Sequence, residues 1–183
     1  MKLNLGGGKR FLPGFTHVDL ADYEHIDFRN DISDLSFLED ESVSLIYCSH
    51  AFEYFDPTQA LRVLTEWRRV MKLGANLTLA VPDFDKLLMV YSQTNDLKNI
   101  LGPLFGVWEI PGQKDLISHK TVYNEKELIS VLKLAGFKNI SKWDWREFFV
   151  GEMKEFDDYS KAYFPHLDFE NGIHVSLNLS CTK

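Results

Sequence analysis

Cysteine is nearly missing from this chain: two residues, Cys48 and Cys181, with no CxxC pair. That scarcity excludes a disulfide scaffold and a thiolate zinc site, and both thiols fall in strand-like runs that read as reduced core. No structural metal is expected. Long apolar runs are missing too, since none approaches the roughly 18 residues a membrane-spanning helix needs. Nothing before Lys2 reads as a leader, so the expectation is a cytoplasmic protein with no membrane partner. Clustered positive charge is the third absence. A net charge of −7 over 183 residues, with Lys and Arg scattered, argues against nucleic acid as a partner. Repeats and low-complexity tracts are lacking, which favours a single domain over residues 1–183.

What the chain does contain is an alternation of strand and helix patterns. Leu3–Leu5 reads as a short strand, Phe15–Leu20 as a second, and Ser44–Cys48 as a buried third. Asp56, Pro57 and Gln59 then mark a helix start: an acidic N-cap, proline at the first position and a capping-box partner. Ala60, Leu64, Trp67 and Met71 continue it as an apolar stripe, which Gly74 is predicted to close as the C′ residue. Residues 75–81 return to strand. Asn124, Glu127 and Gly136 bracket another helix, residues 137–145 read as strand, and Ile173–Cys181 alternate without a break. Strands alternating with helices predict an α/β fold, a doubly wound and mostly parallel sheet. The stretches 84–122 and 146–171 read as irregular and aromatic-rich. They are too long for connectors, which assigns them to a lid or acceptor-pocket wall.

The glycine turn Gly6-Gly7-Gly8 follows the first strand, where a doubly wound sheet binds its ligands. A phosphate-cradling P-loop would need Gly at position 3 and Ser or Thr at position 10, where Leu3 and Arg10 stand. The dinucleotide pattern GxGxxG matches Gly6 and Gly8 but meets Phe11 at its third glycine.

"LNLGGG" resembles instead the first motif of class I S-adenosylmethionine-dependent methyltransferases. The resemblance extends through "NDISDLSFLEDESVSLIYCSHAFEYF" (30–55), "EWRRVMKLGANLTLAVPDF" (66–84) and "YNEKELISVLKLAGFKNIS" (123–141), covering most of the chain. It implies a Rossmann-like methyltransferase fold with a seven-stranded sheet whose last strand inserts antiparallel. It implies S-adenosyl-L-methionine as cofactor, held by Asn4, Leu5, Gly6, Gly7 and Gly8 at the turn. Asp19, with Leu20, would accept from the ribose hydroxyls, as two carboxylate oxygens suit two neighbouring donors. Asp31 would accept from the adenine amino group, Ile32 would pack on the ring, and Ser49 and His50 would lie beside the sulfonium. The chain departs from the motif in carrying Asn4 where an acid is usual, and Lys9 and Arg10 where a further glycine is usual.

A sulfonium methyl is already electrophilic, so such a site must chiefly align an acceptor and, where that acceptor is protonated, remove its proton. His50, Asp83 and His119 are the candidate catalytic residues. The competing structural readings are a capping His50, an Asp83 that caps a helix starting near Lys86, and loop positions for His119 and His166. Glu53 is expected to lock its loop by hydrogen bonding. Aromatic residues such as Trp108, Tyr159 and Tyr163 read as core packing or as an apolar, ring-stacking acceptor pocket, and "EFDDYS" (155–160) reads as a solvated turn or as a feature favouring a cationic or sugar acceptor. The expected activity is methyl transfer to a small-molecule acceptor, such as a sugar or another metabolite. The alternatives are another S-adenosyl-ligand transferase on the same fold, or a methyltransferase-like module that binds partners without catalysis.

Overall fold

The computed structural model describes every residue except Gln113 and Asp115. Seven strands form one sheet: β1 (Lys2–Leu5), β2 (Thr16–Asp19), β3 (Phe28–Arg29), β4 (Val43–Ser49), β5 (Met71–Pro82), β8 (Lys138–Lys142) and β11 (Ser176–Thr182). Their order across the sheet is β3-β2-β1-β4-β5-β11-β8. The first five strands pair in parallel, and β11 runs antiparallel to both β5 and β8. The predicted fold, with its inserted antiparallel last strand, is the one observed. Strand order reverses at β1, whose neighbours are β2 on one side and β4 on the other. The crevice at the carboxyl ends of these strands is where such sheets bind ligands.

Helix α1 (Pro57–Val70) begins as its sequence dictates. The Asp56 carboxylate accepts from the Thr58 and Gln59 amides, and the Gln59 side chain accepts from the Asp56 amide in return. Its buried stripe is Ala60, Val63, Leu64, Trp67 and Val70. The Trp67 indole N–H also donates to the Ile32 carbonyl at 2.6 Å, which ties the helix to the loop after β3. This stripe packs on the sheet beside Leu3, Leu5, Ile46 and Leu79 in the main core. Each such buried aliphatic side chain contributes about 1.5–3 kcal/mol relative to exposure.

Four sequence expectations need correction. Gly74 does not close α1. The helix stops at Val70 because fully buried Met71 turns to extended backbone and pairs with Val43. Gly74, at φ +74, sits instead in a bulge of β5, between the pairs Val43–Met71 and Leu45–Asn76. The strand over 137–145 ends at Lys142, and Trp145 opens a short helix, α5 (Trp145–Phe148), capped by Asp144. The terminal alternation breaks at Val175, whose N–H donates to the Ala162 carbonyl and whose carbonyl accepts from Asp83. Ile173–His174 (β10) then pairs with Tyr163–Phe164 (β9) as a separate ribbon.

The fourth correction concerns 84–122, which is not irregular throughout. It holds α2 (Phe84–Thr94), α3 (Lys98–Phe105) and a hairpin of β6 (Val107–Glu109) and β7 (Leu116–Ser118). Leu87, Val90 and Ile100 form a small second core with Val175, which is what makes these segments helical. Helix α4 (Glu125–Leu134) completes the fold, capped by Asn124 as predicted. Residues 146–171 contain only short turns of helix and β9. They cover the other sheet face, where Phe149 packs with Leu12, Phe15 and Tyr47.

Candidate functional site

At the end of β1 the backbone turns through Gly6 (φ +70) and Gly8 (φ +57). A Cβ on Gly6 would lie 2.5 Å from the Ala51 Cβ, and one on Gly7 would lie 2.5 Å from Asn4 Nδ2. The chain therefore needs bare backbone here because its own β4 end and β1 side chain press against it. Asp19, at the end of β2, is only 2% exposed. Its Oδ2 accepts the Gly8 amide and its Oδ1 the Ala21 amide, each at 2.8 Å. The carboxylate thus holds the glycine turn in place, and each oxygen keeps a further lone pair.

Two cavities meet at this turn, sharing Gly6, Ala51 and Tyr54. The smaller, about 440 Å³, is lined by Asp19, Leu20, Asp31 and Ile32 among others. Asp31 Oδ1 accepts the Ser33 amide at 2.8 Å, which orients its carboxylate. The larger, about 1220 Å³, begins at Asn4, Gly7 and Gly8 and runs past Ser49, His50, Glu53 and His119. Asn4 is 2% exposed, and its Nδ2 has no partner. Leu5 is fully buried in the main core.

The wall of the larger cavity is a connected polar structure. Asp158 Oδ1 accepts from Ser49 Oγ at 2.6 Å, from Tyr47 OH at 2.8 Å and from the Ser160 amide at 2.7 Å. His50 stands at φ +51, and its Nε2 lies 3.0 Å from Ser176 Oγ. Burial above all, with His119, Arg10 and His174 nearby, lowers its pKa to about 3, so the ring is neutral. His119, from the segment after β7, places Nδ1 2.8 Å from the Pro103 carbonyl. Burial lowers its pKa as well. Both imidazoles approach Glu53 Oε1, His50 Nδ1 at 3.6 Å and His119 Nε2 at 3.8 Å. Glu53 itself is 1% exposed, and neither carboxylate oxygen has a hydrogen-bond partner. Burial pushes its pKa up to about 8.

The structure gathers His50 and His119 against Glu53 but sets Asp83 apart. Asp83 caps α2, its Oδ1 accepting from the Asp85 and Lys86 amides, and it does not line the larger cavity. His166 lines that cavity at its outer end. Glu53 does lock its loop, though through its main chain: its carbonyl accepts from the Lys120 and Thr121 amides. The wall contacts of two residues were not readable in the sequence. Asp158 sits in an acidic run whose neighbour Asp157 is exposed, so only the fold separates them. Arg10 lays its guanidinium over the Tyr159 ring at 4.3 Å, across about 150 residues of chain. Among the described residues no group of His, Cys, Asp and Glu is placed to hold a metal ion. No helix among them is long and apolar enough to cross a membrane.

Comparison with known proteins fits this geometry. Residues 15–79 match the family model of the methyltransferase domain. A SAM-dependent methyltransferase from Archaeoglobus fulgidus superposes with a TM-score of 0.57 at 15% identity, over 100% of this chain and 85% of that one. This is a class I S-adenosylmethionine-dependent methyltransferase fold. A SAM-dependent methyltransferase from Methanosarcina mazei aligns at TM-score 0.55 and 17% identity, over 100% of this chain and 91% of that one. The 1,6-didemethyltoxoflavin-N1-methyltransferase of Burkholderia thailandensis, solved with its acceptor and S-adenosylhomocysteine, aligns at TM-score 0.54. It shares 14% identity, over 100% of this chain and 70% of that chain. Among curated proteins nothing matches. The Archaeoglobus and Methanosarcina proteins of this fold are S-adenosylmethionine-dependent methyltransferases. The residues present fit S-adenosyl-L-methionine: a turn closed to side chains at Gly6 and Gly7 and open at Gly8, an acid beneath the turn, and two cavities that meet there.

Proposed function

We propose that this chain is an enzyme that transfers a methyl group from S-adenosyl-L-methionine to a small-molecule acceptor. The observation that carries the reading is the meeting of two cavities at Gly6, with Asp19 wired beneath the turn. The smaller cavity takes the adenosine, with Asp19 and Leu20 at the ribose and Asp31 and Ile32 at the base. The methionine end lies over Gly7 and Gly8, where the unpartnered Asn4 amide supplies a donor. Ser49 and His50 flank the reacting end. When bound, the cofactor supplies an electrophilic sulfonium methyl.

The protein's part is to exclude water and align the acceptor, worth several kcal/mol through proximity. The larger cavity exceeds what the methionine end needs, and the surplus holds the acceptor. Segments 84–122 and 146–171 build its walls, with Trp108, Tyr159 and Tyr163 supplying ring faces. That the Burkholderia relative is a small-molecule N-methyltransferase supports a compact acceptor. Calorimetric titration with S-adenosylhomocysteine tests the reading. Saturable binding is expected; no heat at millimolar ligand would remove it.

A further inference from the structure

We propose that Glu53 is the proton acceptor of the methyl-transfer site, so that the methyl acceptor is a hydroxyl or a protonated amine. This rests on the function proposed above. The argument begins with hydrogen atoms that the network itself places. Asn178 Nδ2 donates to the Ser160 carbonyl at 3.0 Å, which turns Asn178 Oδ1 toward Ser176. Ser176 Oγ donates its one proton to that Oδ1 at 2.8 Å. Toward His50 Nε2, 3.0 Å away, Ser176 can then only accept, so Nε2 carries the imidazole proton. His50 Nδ1 is therefore a bare lone pair facing Glu53 Oε1.

His119 repeats the arrangement from another part of the chain. The Pro103 carbonyl can only accept, so His119 Nδ1 carries the proton and Nε2 presents its lone pair to the same Oε1. Two lone pairs thus converge on one buried carboxyl oxygen. Neither contact is short enough to be a hydrogen bond, but an ionised Glu53 would set a negative charge against both lone pairs, whereas a protonated one removes that repulsion and can turn its O–H toward one of them. No Lys or Arg pairs with Glu53 among the described residues. The titratable groups that face it, Cys48, Tyr54 and Tyr123, are neutral, and the Arg10 cation and His174 act on His50 rather than on Glu53. Burial has the same effect, holding the Glu53 proton up to about pH 8. Locking the loop does not explain the carboxylate, because the Glu53 main-chain carbonyl does that work.

The cluster is thus a proton-holding site in the wall of the acceptor cavity. In the transfer step the acceptor's N or O forms its bond to the methyl carbon, and the broken S–C pair stays on sulfur. The pair of the acceptor's N–H or O–H bond remains on the acceptor, and the proton passes to Glu53. Sulfonium and carboxylate charges disappear together, which a low-dielectric cavity favours.

The test follows from a requirement. Glu53 holds a proton in the free protein at pH 7, and must be ionised once the donor is bound. Calorimetry of S-adenosylmethionine binding, in two buffers of different ionisation enthalpy at pH 7, should show proton release. S-adenosylhomocysteine, which lacks the cation, should bind with none. Glu53→Gln should abolish the release while keeping S-adenosylhomocysteine affinity within about twofold. With a panel of primary amines and sugar hydroxyls as acceptors, the same variant should lower kcat at least a hundredfold. No proton release, release that survives Glu53→Gln, or undiminished turnover in that variant would overturn the proposal. Failure to bind either ligand would instead remove the function on which it rests. A far-UV and thermal-melt comparison establishes that the variant is folded, and Glu53→Asp, which keeps the acid, should retain proton release.

Discussion

The Gly8 amide donates to Asp19 Oδ2 at 2.8 Å, joining the ends of β1 and β2 across the glycine turn. The residue expected to grip the cofactor ribose is therefore also the residue that shapes the turn. Asp19→Asn keeps the size of the side chain, loses the charge, and leaves only one oxygen for two amide donors. It should weaken S-adenosylhomocysteine binding at least tenfold, about 1.4 kcal/mol, and destabilise the free protein by about 1–3 kcal/mol. Calorimetry and urea unfolding separate these effects. An unchanged dissociation constant would take Asp19 out of the site.

Gly6 and Gly14 form a matched pair. Both have positive φ, at +70 and +79, but only Gly6 has a neighbour where a Cβ would go. Gly14→Ala should cost about 1 kcal/mol of backbone strain and leave cofactor binding alone. Gly6→Ala meets the Ala51 Cβ at 2.5 Å, so it should lower stability further and abolish ligand binding by displacing the turn. Equal binding by the two variants would contradict the assignment of the turn.

Asp158 ties Tyr47, Ser49 and the Ser160 amide to one oxygen. Asp158→Ala leaves the Ser49 hydroxyl and the Ser160 amide unpaired in a buried wall, with Tyr47 OH keeping only its longer contact to Ser160 Oγ at 3.3 Å, and should cost on the order of 3 kcal/mol. The fold around α1, anchored elsewhere, should survive, so hydrogen exchange should accelerate in residues 146–171 before it does in α1. Uniform acceleration would show that this segment is not an independent wall.

Stability should depend on pH through Glu53 and His50, in opposite directions. The Glu53 pKa is raised from 4.5 to about 8 in the folded protein, so its contribution is complete below 4.5 and lost as pH rises to 8. The His50 pKa is lowered from 6.5 to about 3, so its contribution is complete above 6.5 and lost as pH falls to 3. Between pH 6.5 and 8 the Glu53 effect stands without a His50 counterpart. The urea midpoint of the wild type should fall across that window, while that of Glu53→Gln should fall less. Parallel curves would mean that Glu53 titrates like an ordinary carboxylate.

Much of this was legible along the chain where the deciding interactions are local. The capping box of α1, the Asn124 cap of α4 and the core strands were readable because each depends on residues a few positions apart. Within 84–122 the Asp83 cap of a helix near Lys86 is readable from the sequence and is observed at α2, whereas α3 and the hairpin are not readable. The stretch was read as irregular, and its apolar face finds its partner only at Val175. Gly74 misled because a glycine after a helical stripe usually marks a C-cap, whereas pairing of Met71 with Val43 ended this helix early.

The order of the core strands with α1 and α4, the bare turn after β1 and the acid at the end of β2 were determined by sequence alone, since main-chain sterics and hydrophobic period act within a few residues. The tertiary structure alone decided that His50 and His119 would face Glu53, and that Asp158 would be buried while Asp157 stayed in solvent. The reason is physical: desolvation and lone-pair direction arise only when distant segments close over the same carboxyl group, and no spacing in the chain encodes them.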